Sequence, residues 1–386
     1  MKEILITGRG SINALGNNPD QIWKNYLTQA KTVSNCCFDD KNTPTGKLQE
    51  ESETALQNIR KENHHYRRLD KSVLLAILAG RKAVAQSNWE NKQNIGINIG
   101  SSRGATQLFE KYHKHFLNQN NRLSPLASPT TTLGNISSWL SYDLGCNGIT
   151  ISHSITCSTA LHSIVNACAW INSGMSDYFL AGGSEAPITD FTVAQMRALG
   201  IYSKEEDNWK CKPFSSCHRN TMILGEGATI FGLEKTSSKK SLAKIIGIGY
   251  ATEKIEHHAS MSSDAKSLFK SMSMALSSAQ IKTVDTVIAH APGTVLGDKA
   301  ELNAIEKLFP DKIPHIFSTK HQTGHTLGAS GAISMDLAID MISQNRVIGF
   351  PYEAPYQNLN TIPRTIMINA IGFGGNAVSI ILQKTD

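Results

Sequence analysis

Short runs of mostly apolar residues alternate along the whole chain with longer segments in which apolar residues recur every third or fourth position. The runs have the length and composition of strands, and the segments have the period of helices. This alternation is typical of α/β layers on a mostly parallel sheet. The predicted strands are 3–8, 94–100, 148–156, 177–183, 227–234, 242–250, 285–293, 314–320 and 365–375, and the predicted helices are 69–86, 157–173, 264–280, 299–308 and 331–343.

The polar stretch 234–241, EKTSSKKS, is the best candidate for a joint within the 386 residues. We therefore predict an N-terminal half, 1–236, and a C-terminal half, 237–386. Both halves have a comparable strand–helix rhythm, although no strong sequence repeat relates them. The stretch 113–132 contains two prolines and few periodic apolar residues, so we expect an irregular excursion there.

The composition restricts the classes of function. Hydrophobic residues make up 40% of the chain and charged residues 18%, which is ordinary for a soluble globular protein. The longest apolar run, 73–80, is too short to span a membrane, and seven irregularly spaced cysteines argue against a disulfide framework. We therefore expect a cytoplasmic protein without membrane insertion.

The net charge of +6 is mild. It suits an acidic protein partner, because complementary potentials speed encounter. The one dense basic cluster, 63–71, is short, and aromatic residues make up only 7% of the chain. We therefore expect no binding of nucleic acid.

Cys157 lies where the predicted strand 148–156 gives way to the predicted helix 157–173. A thiol in the first turn of a helix meets unpaired backbone N–H groups and the positive end of the helix dipole, and both favour the thiolate. Cys157 is thus a candidate nucleophile that needs no carboxylate base. A lone free cysteine is more commonly a small buried apolar residue, so its role depends on the rest of the chain.

Three segments further along the chain add chemistry to this candidate. Two contain histidines near glycines, and the third surrounds an aromatic residue with glycines, which permit close backbone approach or a positive φ. The segments are AHAPGTVLGDKAE (289–301) with His290, STKHQTGHTLGASGA (318–332) with Lys320 and His325, and INAIGFGGNA (368–377) with Phe373.

The chain contains seven motifs in the following order: RRLDKSVLLAILAGRKAV, ITCSTALHS, LAGGSEA, PFSSCHRNTMILGEGA, AHAPGTVLGDKAE, STKHQTGHTLGASGA and GFGG. Together they resemble the β-ketoacyl-acyl-carrier-protein synthases, most closely the synthase II-like branch of the thiolase superfamily. The resemblance covers nearly the whole chain. It implies a thiolase-like α/β fold, with two similar α/β halves in a layered α-β-α-β-α arrangement.

The resemblance also implies a reaction, the decarboxylative Claisen condensation of type II fatty-acid, polyketide or aryl-polyene biosynthesis. An acyl group would transfer from acyl carrier protein to Cys157, and the enolate formed from malonyl-carrier protein would attack it, extending the chain by two carbons. His290 and His325 match the family's pair of donors to the enolate oxygen. The backbone N–H groups of Cys157 and Phe373 would form the oxyanion hole for acyl transfer.

Further positions match supporting residues of the family. Lys320 would pair with Glu301 and thereby orient His325 and tune its charge, although such a pair could also be a surface contact of little energetic worth. Asp298 is a further supporting residue, and Thr294 would contact phosphopantetheine. We expect no metal, and no cofactor besides the phosphopantetheine arm of the carrier protein.

Arg103, in GSSRGA (100–105), departs from the family, which has a small or branched apolar residue at this gate of the acyl pocket. A guanidinium in an acyl tunnel is costly unless it is paired. Ala127 falls where relatives often have a bulky aromatic residue. One hypothesis is an unusual acyl chain, unsaturated or an aryl-polyene precursor; the alternative is that Arg103 pairs with a carboxylate and the substrates are ordinary.

The basic residues Arg67, Arg68, Arg122 and Arg197 fall at or near positions that relatives use against the acidic helix of the carrier protein. Exposed arginines are also often simply solvated. The resemblance implies a dimer, either a homodimer or a heterodimer with a homologue that resembles a chain-length factor.

Three other classes of protein fit the sequence less well. A thiolase needs a second cysteine late in the chain, but the last one is Cys217. A non-catalytic chain-length partner usually lacks the nucleophile, although Cys157 is compatible with the active half of a heterodimer. A cysteine amidase or protease gives no reason for the second histidine or for GFGG.

Overall fold

The structure is a computed structural model that describes residues 3–89, 93–119, 122–235, 241–254 and 262–385. Its strands are β1 (Ile4–Ile12), β2 (Ser34–Phe38), β3 (Lys41–Thr45), β4 (Gly96–Gly100), β5 (Thr150–Ile151), β6 (Tyr178–Glu185), β7 (Gly227–Glu234), β8 (Ala243–Thr252), β9 (Thr286–Ile288), β10 (His315–Phe317), β11 (Thr365–Ile371) and β12 (Asn376–Gln383).

The helices of the described residues are α1 (Pro19–Leu27), α2 (Glu50–Glu62), α3 (Lys71–Ser87), α4 (Thr106–Asn118), α5 (Ala127–Thr131), α6 (Asn135–Leu144), α7 (Thr159–Ser173), α8 (Asp190–Ala198), α9 (Lys266–Ala279), α10 (Val295–Leu308), α11 (Lys320–Thr323) and α12 (Ser330–Gln344). Two short 3₁₀ helices, His64–Arg68 and Leu327–Ala329, accompany them. Among these helices none is long and apolar enough to cross a bilayer.

The main sheet consists of two halves with the same topology. Its ten described strands run in the order β10-β9-β11-β12-β8-β1-β7-β6-β4-β5. Strands β8 to β12 therefore repeat the relative positions of β1, β4, β5, β6 and β7, with the same parallel and antiparallel pairings. The halves join where β1 pairs antiparallel with β8.

Helices cover both halves and also lie between them. Helix α3 packs on β1, β6 and β7, and α9 packs on β8, β11 and β12. Helices α7 and α12 contact each other, and α12 contacts strands of both halves, which places this pair at the centre. This is the layered arrangement of two similar α/β halves that the resemblance implied. The expectation of a mostly parallel sheet is wrong, because five of the nine pairings between its described strands are antiparallel.

Glycines at equivalent positions of β1 and β8 allow the outer helices to approach closely. A Cβ on Gly10 would lie 1.9 Å from Ala79 O of α3, and a Cβ on Gly249 would lie 1.9 Å from Ser271 O of α9. Gly8 and Gly247 are equally crowded by α3 and α9. A G-x-G pattern shared by both halves is thus a repeat signal in the sequence.

The predicted boundaries were most accurate where strands are buried. Strand β7 matches the prediction. Of the predicted strand 148–156, only the two residues of β5 form a strand. The predicted strand 365–375 contains β11, but no strand was predicted at β12. Strand β12 was missed because its continuous apolar run follows a glycine turn and lacks alternation. The hairpin of β2 and β3 and the helices α1, α2, α4, α6 and α8 were also not predicted.

The prediction of an irregular excursion at 113–132 is wrong in part. Helix α4 continues to Asn118, and α5 occupies Ala127–Thr131. Helix α4 has no buried residue, although its apolar residues Phe109, Tyr112 and Phe116 recur at helical spacing. The predicted joint at 234–241 includes residues 236–240, which lie outside the described residues, so the boundary between 1–236 and 237–386 stays a prediction.

A buried ion triad ties the two halves together. Arg9 of β1 donates from Nη1 to Asp336 Oδ1 at 2.9 Å and from Nη2 to Asp340 Oδ1, both on α12. All three side chains are buried. Removing one member of such a cluster leaves uncompensated charge in the interior.

We therefore expect Arg9→Met to lower the free energy of unfolding by about 3–5 kcal/mol, measured by chemical denaturation. The control is Arg364→Met, at an exposed arginine, which we expect to change it by less than about 0.5 kcal/mol. Equal effects of the two variants would contradict a structural role of the triad.

Candidate functional site

Cys157 lies in a bend between β5 and α7. Helix α7 begins at Thr159, two residues later than predicted, and its apolar residues are part of the central core. Thr159 fixes the bend, because its hydroxyl donates to Thr156 O at 2.5 Å and accepts from Ile155 N–H at 2.8 Å. The thiol of Cys157 is thereby held at the edge of the central layer, with 9% of the residue exposed.

The C-terminal half brings both predicted histidines to this thiol. His290 follows β9, and His325 follows α11. His325 Nε2 lies 3.2 Å from Cys157 Sγ, and the two imidazole rings lie 5.1 Å apart at 80°. The sulfur and one nitrogen of each ring all lie within 4.8 Å of one another, so the three residues form one cluster.

The expectation that the thiolate is favoured at Cys157 is wrong for this structure. Burial raises the pKa of the thiol to about 12, and the charge of Glu185 adds to the rise, while Lys320 and Arg103 act against it. The helix begins two residues after Cys157, so its N-terminal turn offsets burial less than we expected. The thiol is therefore neutral at neutral pH.

Both histidines are neutral as well. Burial and the charge of Lys320 lower the pKa of His325 to about 3, and the same two causes hold the pKa of His290 well below its usual range. Nδ1 of each ring is buried without a hydrogen-bond partner among the described residues. No such contact fixes the tautomer, so each Nε2 donates in one tautomer and accepts in the other.

Cys157 lies where two cavities meet. A cavity of about 890 Å³ is lined by His290, His325 and Thr294, and one of about 430 Å³ is lined by Arg103. Cys157 and Phe373 line both cavities. A long substrate arm and an acyl chain could thus reach the same sulfur from different sides.

Two family models match most of the chain. The beta-ketoacyl synthase N-terminal domain matches residues 1–239, and the C-terminal domain of the same family matches residues 242–349. The chain belongs to the beta-ketoacyl synthase family. A 3-oxoacyl-[acyl-carrier-protein] synthase 2 of Staphylococcus aureus is 30% identical over 409 residues, which cover 98% of this chain and 100% of that relative.

Solved structures share the fold of this synthase. A type II polyketide ketosynthase in complex with its acyl-carrier protein (AntDE:AntF) matches with a TM-score of 0.87 and 21% identity over 100% of both chains. The ketosynthase ApeO in complex with its chain length factor ApeC from Xenorhabdus doucetiae matches with a TM-score of 0.82 and 21% identity, over 100% of this chain and 98% of that one. The predicted thiolase-like fold is confirmed.

The ion pair predicted between Lys320 and Glu301 is absent from the described residues of the synthase. Glu301 instead accepts the backbone N–H groups of His290 and Ala291, at 2.9 and 2.8 Å, and the side-chain amide of Asn369 at 3.1 Å. Because these donors satisfy the carboxylate, it positions the loop of His290. It still acts on Lys320 through charge.

Lys320 is only 1% exposed. Burial lowers its pKa to about 8, although the charge of Glu301 acts against this. Its positive charge in turn lowers the pKa of both imidazoles. The predicted influence of Lys320 on the histidines thus has a direct physical basis.

Asp298 also holds the loop that follows His290. It accepts the backbone N–H groups of Gly293, Thr294 and Phe214, and burial raises its pKa to about 7. Thr294 lines the larger cavity, where a pantetheine arm would lie.

Arg103 lines the smaller cavity. The alternative with ordinary substrates predicted a carboxylate partner, but the hydrogen-bond partner of its guanidinium is an amide. Its Nη1 donates to Gln195 Oε1 at 2.7 Å. Glu110 lines the same cavity and is hydrogen-bonded by Thr189 at 2.6 Å. Ala127 is not among the residues that line either cavity of this chain, so a role of Ala127 in the acyl pocket stays a prediction.

The four predicted docking residues differ in exposure. Arg67, Arg68 and Arg122 are exposed, whereas Arg197 is half-buried. Arg197 donates to Thr43 and lies 3.9 Å from Asp39, so the hairpin of β2 and β3 holds it. None of the four lines the larger cavity, so their role in docking stays a prediction.

Glu185, in the motif LAGGSEA, is a residue of the site whose role was not predicted from the sequence. It is fully buried and accepts hydrogen bonds from Ser101, Ser102, the backbone N–H of Arg103 and the backbone N–H of Gly328. It thus fixes the turn of Arg103 against the loop that follows His325. A glutamate inside an otherwise small and apolar motif was the available signal.

The cluster of Cys157, His290 and His325 also has the donor types that bind zinc. Lys320 argues against this, because a buried ammonium group beside the cluster repels a divalent cation. The absence of a metal from the mechanism stays a prediction.

The charge of Lys320 gives a test of how the site is kept neutral. In Lys320→Met the imidazole pKa values should rise, because one of the two causes that lower them is removed. Protonated imidazole cannot accept the thiol proton, so the acylation rate should begin to fall at a higher pH than in the wild type as the pH is lowered.

The measurement is the rate of acylation of Cys157 between pH 5 and pH 8. Lys312→Met, at an exposed lysine before β10, is the control and should keep the wild-type profile. An unchanged profile in Lys320→Met would contradict the role of this charge.

Proposed function

We propose that this synthase catalyses the decarboxylative condensation of an acyl thioester on Cys157 with malonyl-acyl carrier protein, giving a β-ketoacyl-acyl carrier protein two carbons longer. The observation that carries the proposal is the position of Cys157 at the junction of two cavities, with both imidazoles on the side of the larger one. This arrangement separates the site of the acyl chain from that of the incoming extender.

In the acyl-transfer step, the sulfur of Cys157 attacks the thioester carbon of the acyl-carrier protein. The S–C bond to Cys157 forms and the S–C bond to pantetheine breaks. Since the free thiol is neutral, its proton must leave as the bond forms. His325 Nε2, at 3.2 Å, accepts this proton and returns it to the departing pantetheine sulfur.

In the condensation step, the bond between the carboxylate and the α-carbon of the malonyl group breaks, and CO₂ leaves. The electron pair becomes an enolate whose oxygen accepts a hydrogen bond from His290. His325 donates a second one in the tautomer that carries its proton on Nε2. The enolate carbon forms the new C–C bond with the acyl carbon, and the S–C bond to Cys157 breaks. Cys157 leaves as a thiolate, and it takes up one proton from solvent to return to its neutral state.

The substrates would arrive on the phosphopantetheine arm of an acyl carrier protein, through the larger cavity and past Thr294. A ketosynthase of the same fold is known in complex with its acyl-carrier protein. We place the protein in the cytoplasm and expect Arg67, Arg68 and Arg122 to contribute to carrier docking, because they are exposed cations and the carrier is acidic.

Two assemblies are compatible with this function. Helix α4 has no buried residue, yet it presents Phe109 and Leu117, which are 61% and 64% exposed. The edge strand β5 pairs with β4, and the residues that follow β4 line the smaller cavity. We propose that a second chain covers this region, as a homodimer; the alternative is a heterodimer with a chain-length-factor-like homologue, as in the ApeO–ApeC complex.

Arg103 bears on the class of acyl chain. Its guanidinium lines the smaller cavity with a neutral amide as its partner. A saturated acyl chain would remove water from this cation and offer it no favourable contact in exchange. The π-face of a conjugated chain can instead stack on a guanidinium. We propose that the acyl chain is unsaturated, of a polyketide or aryl-polyene type.

The central test of the function is intact-mass analysis after incubation with acyl-carrier protein. The wild-type chain should gain the mass of the acyl group, and Cys157→Ala should gain none. With malonyl-carrier protein added, the wild type should release CO₂ and form a β-ketoacyl product. A chain that gains no acyl mass alone, but only with a homologous partner, would favour the heterodimer.

The test of the acyl class compares saturated and polyene acyl groups of equal length on one carrier protein. In Arg103→Ile we expect kcat/KM for the saturated chain to rise about tenfold and that for the polyene chain to fall, since a cation–π contact contributes about 1–2 kcal/mol. Arg103→Lys is the charge-preserving control. Unchanged selectivity in Arg103→Ile would contradict the proposal.

A further inference from the structure

Thr156, the residue before the nucleophile, has a left-handed backbone conformation with φ of +48°. This conformation is rare for a β-branched residue, and glycine adopts it without strain. The chain nevertheless has threonine here. A strained residue beside a reacting group points to a role for its side chain.

The side chain of Thr156 contacts the turn that carries Phe373. Its Oγ1 donates to Phe373 O at 3.2 Å. Gly372 is equally close, because a Cβ built on it would lie 1.7 Å from Thr156 Oγ1 and 2.8 Å from Cys157 N. The nucleophile bend and the Phe373 turn are therefore in direct contact, with only a glycine able to occupy position 372.

The Phe373 turn is otherwise held mainly by itself. Gly372 N–H donates to Asn376 O, and Gly375 N–H donates to Gly372 O, at 3.1 and 3.0 Å. Phe373 itself is 41% exposed, and two glycines with positive φ follow it in the turn. The hydroxyl of Thr156 thus links this turn to the strand-to-helix bend that holds Cys157.

We propose that Thr156 is a positioning residue whose hydroxyl holds the Phe373 turn against Cys157 during acyl transfer. This inference rests on the proposed function and on the role that the family resemblance implies for Phe373, whose backbone N–H would stabilise the oxyanion of acyl transfer. The two imidazoles stabilise a different charge, that of the enolate, and they contact the larger cavity. Loss of the hydroxyl should therefore slow acylation of Cys157 and leave decarboxylation of malonyl-carrier protein intact.

The experiment measures two rates on each variant: single-turnover acylation of Cys157, by intact mass, and release of CO₂ from malonyl-carrier protein. Thr156→Val keeps the shape and the strain and removes the hydroxyl, so its acylation rate should fall about tenfold, the effect of losing one hydrogen bond near an oxyanion. Its CO₂ release should stay within about twofold of the wild type. Thr156→Ser keeps the hydroxyl and should acylate at the wild-type rate.

Thr28→Val is the matched control, because the exposed Thr28 hydroxyl donates to a backbone carbonyl in α1 at 2.9 Å, far along the chain from Cys157. Thr156→Ala removes the hydroxyl without the β-branch and serves where Thr156→Val folds poorly. The proposal is overturned by an unchanged acylation rate in both hydroxyl-free variants, by an equal fall in both rates, or by failure of Thr156→Ser to acylate normally. A wild-type chain that gains no acyl mass would instead overturn the proposed function itself.

Discussion

The antiparallel pairing of β1 with β8 is the constraint on which the site depends, because each half supplies only part of the chemistry. Cys157 belongs to the N-terminal half, whereas His290 and His325 belong to the C-terminal half. Packing of α7 against α12 and the buried triad around Arg9 fix the two halves in one relative position. Glu185 extends this link into the site, since it binds backbone groups from both halves.

Burial then decides the electrostatics of the cluster. A buried sulfur, two buried imidazoles and a buried ammonium group occupy one region, and burial is the largest cause of the pKa shift of each. The ammonium group alone retains a charge near neutral pH. Its field favours an electron-rich oxygen close by, so the site is arranged for negative charge that develops during the reaction and not for charge already present in the free protein.

The alternation of strand and helix periods predicted α/β layers, whereas the two-half arrangement and the roles of the two histidines beside Cys157 came from the family resemblance carried by the ordered motifs. Other features depend on tertiary contacts that no local pattern encodes. The carboxylate of Glu301 binds the backbone of its own loop instead of Lys320, and the thiol of Cys157 is neutral because the fold buries it. Helix α4 is a different case, because its apolar residues recur at helical spacing although none of its residues is buried.

The neutral state of the nucleophile has a consequence for inhibitor design. Small electrophiles and peroxide react with thiolates far faster than with thiols, so Cys157 should be a poor target for unguided alkylation or oxidation. Selective covalent compounds would need to occupy one of the two cavities first and bring a leaving group that accepts the proton held between the sulfur and His325. Affinity for the cavity, more than the reactivity of the warhead, would then set the potency of such compounds.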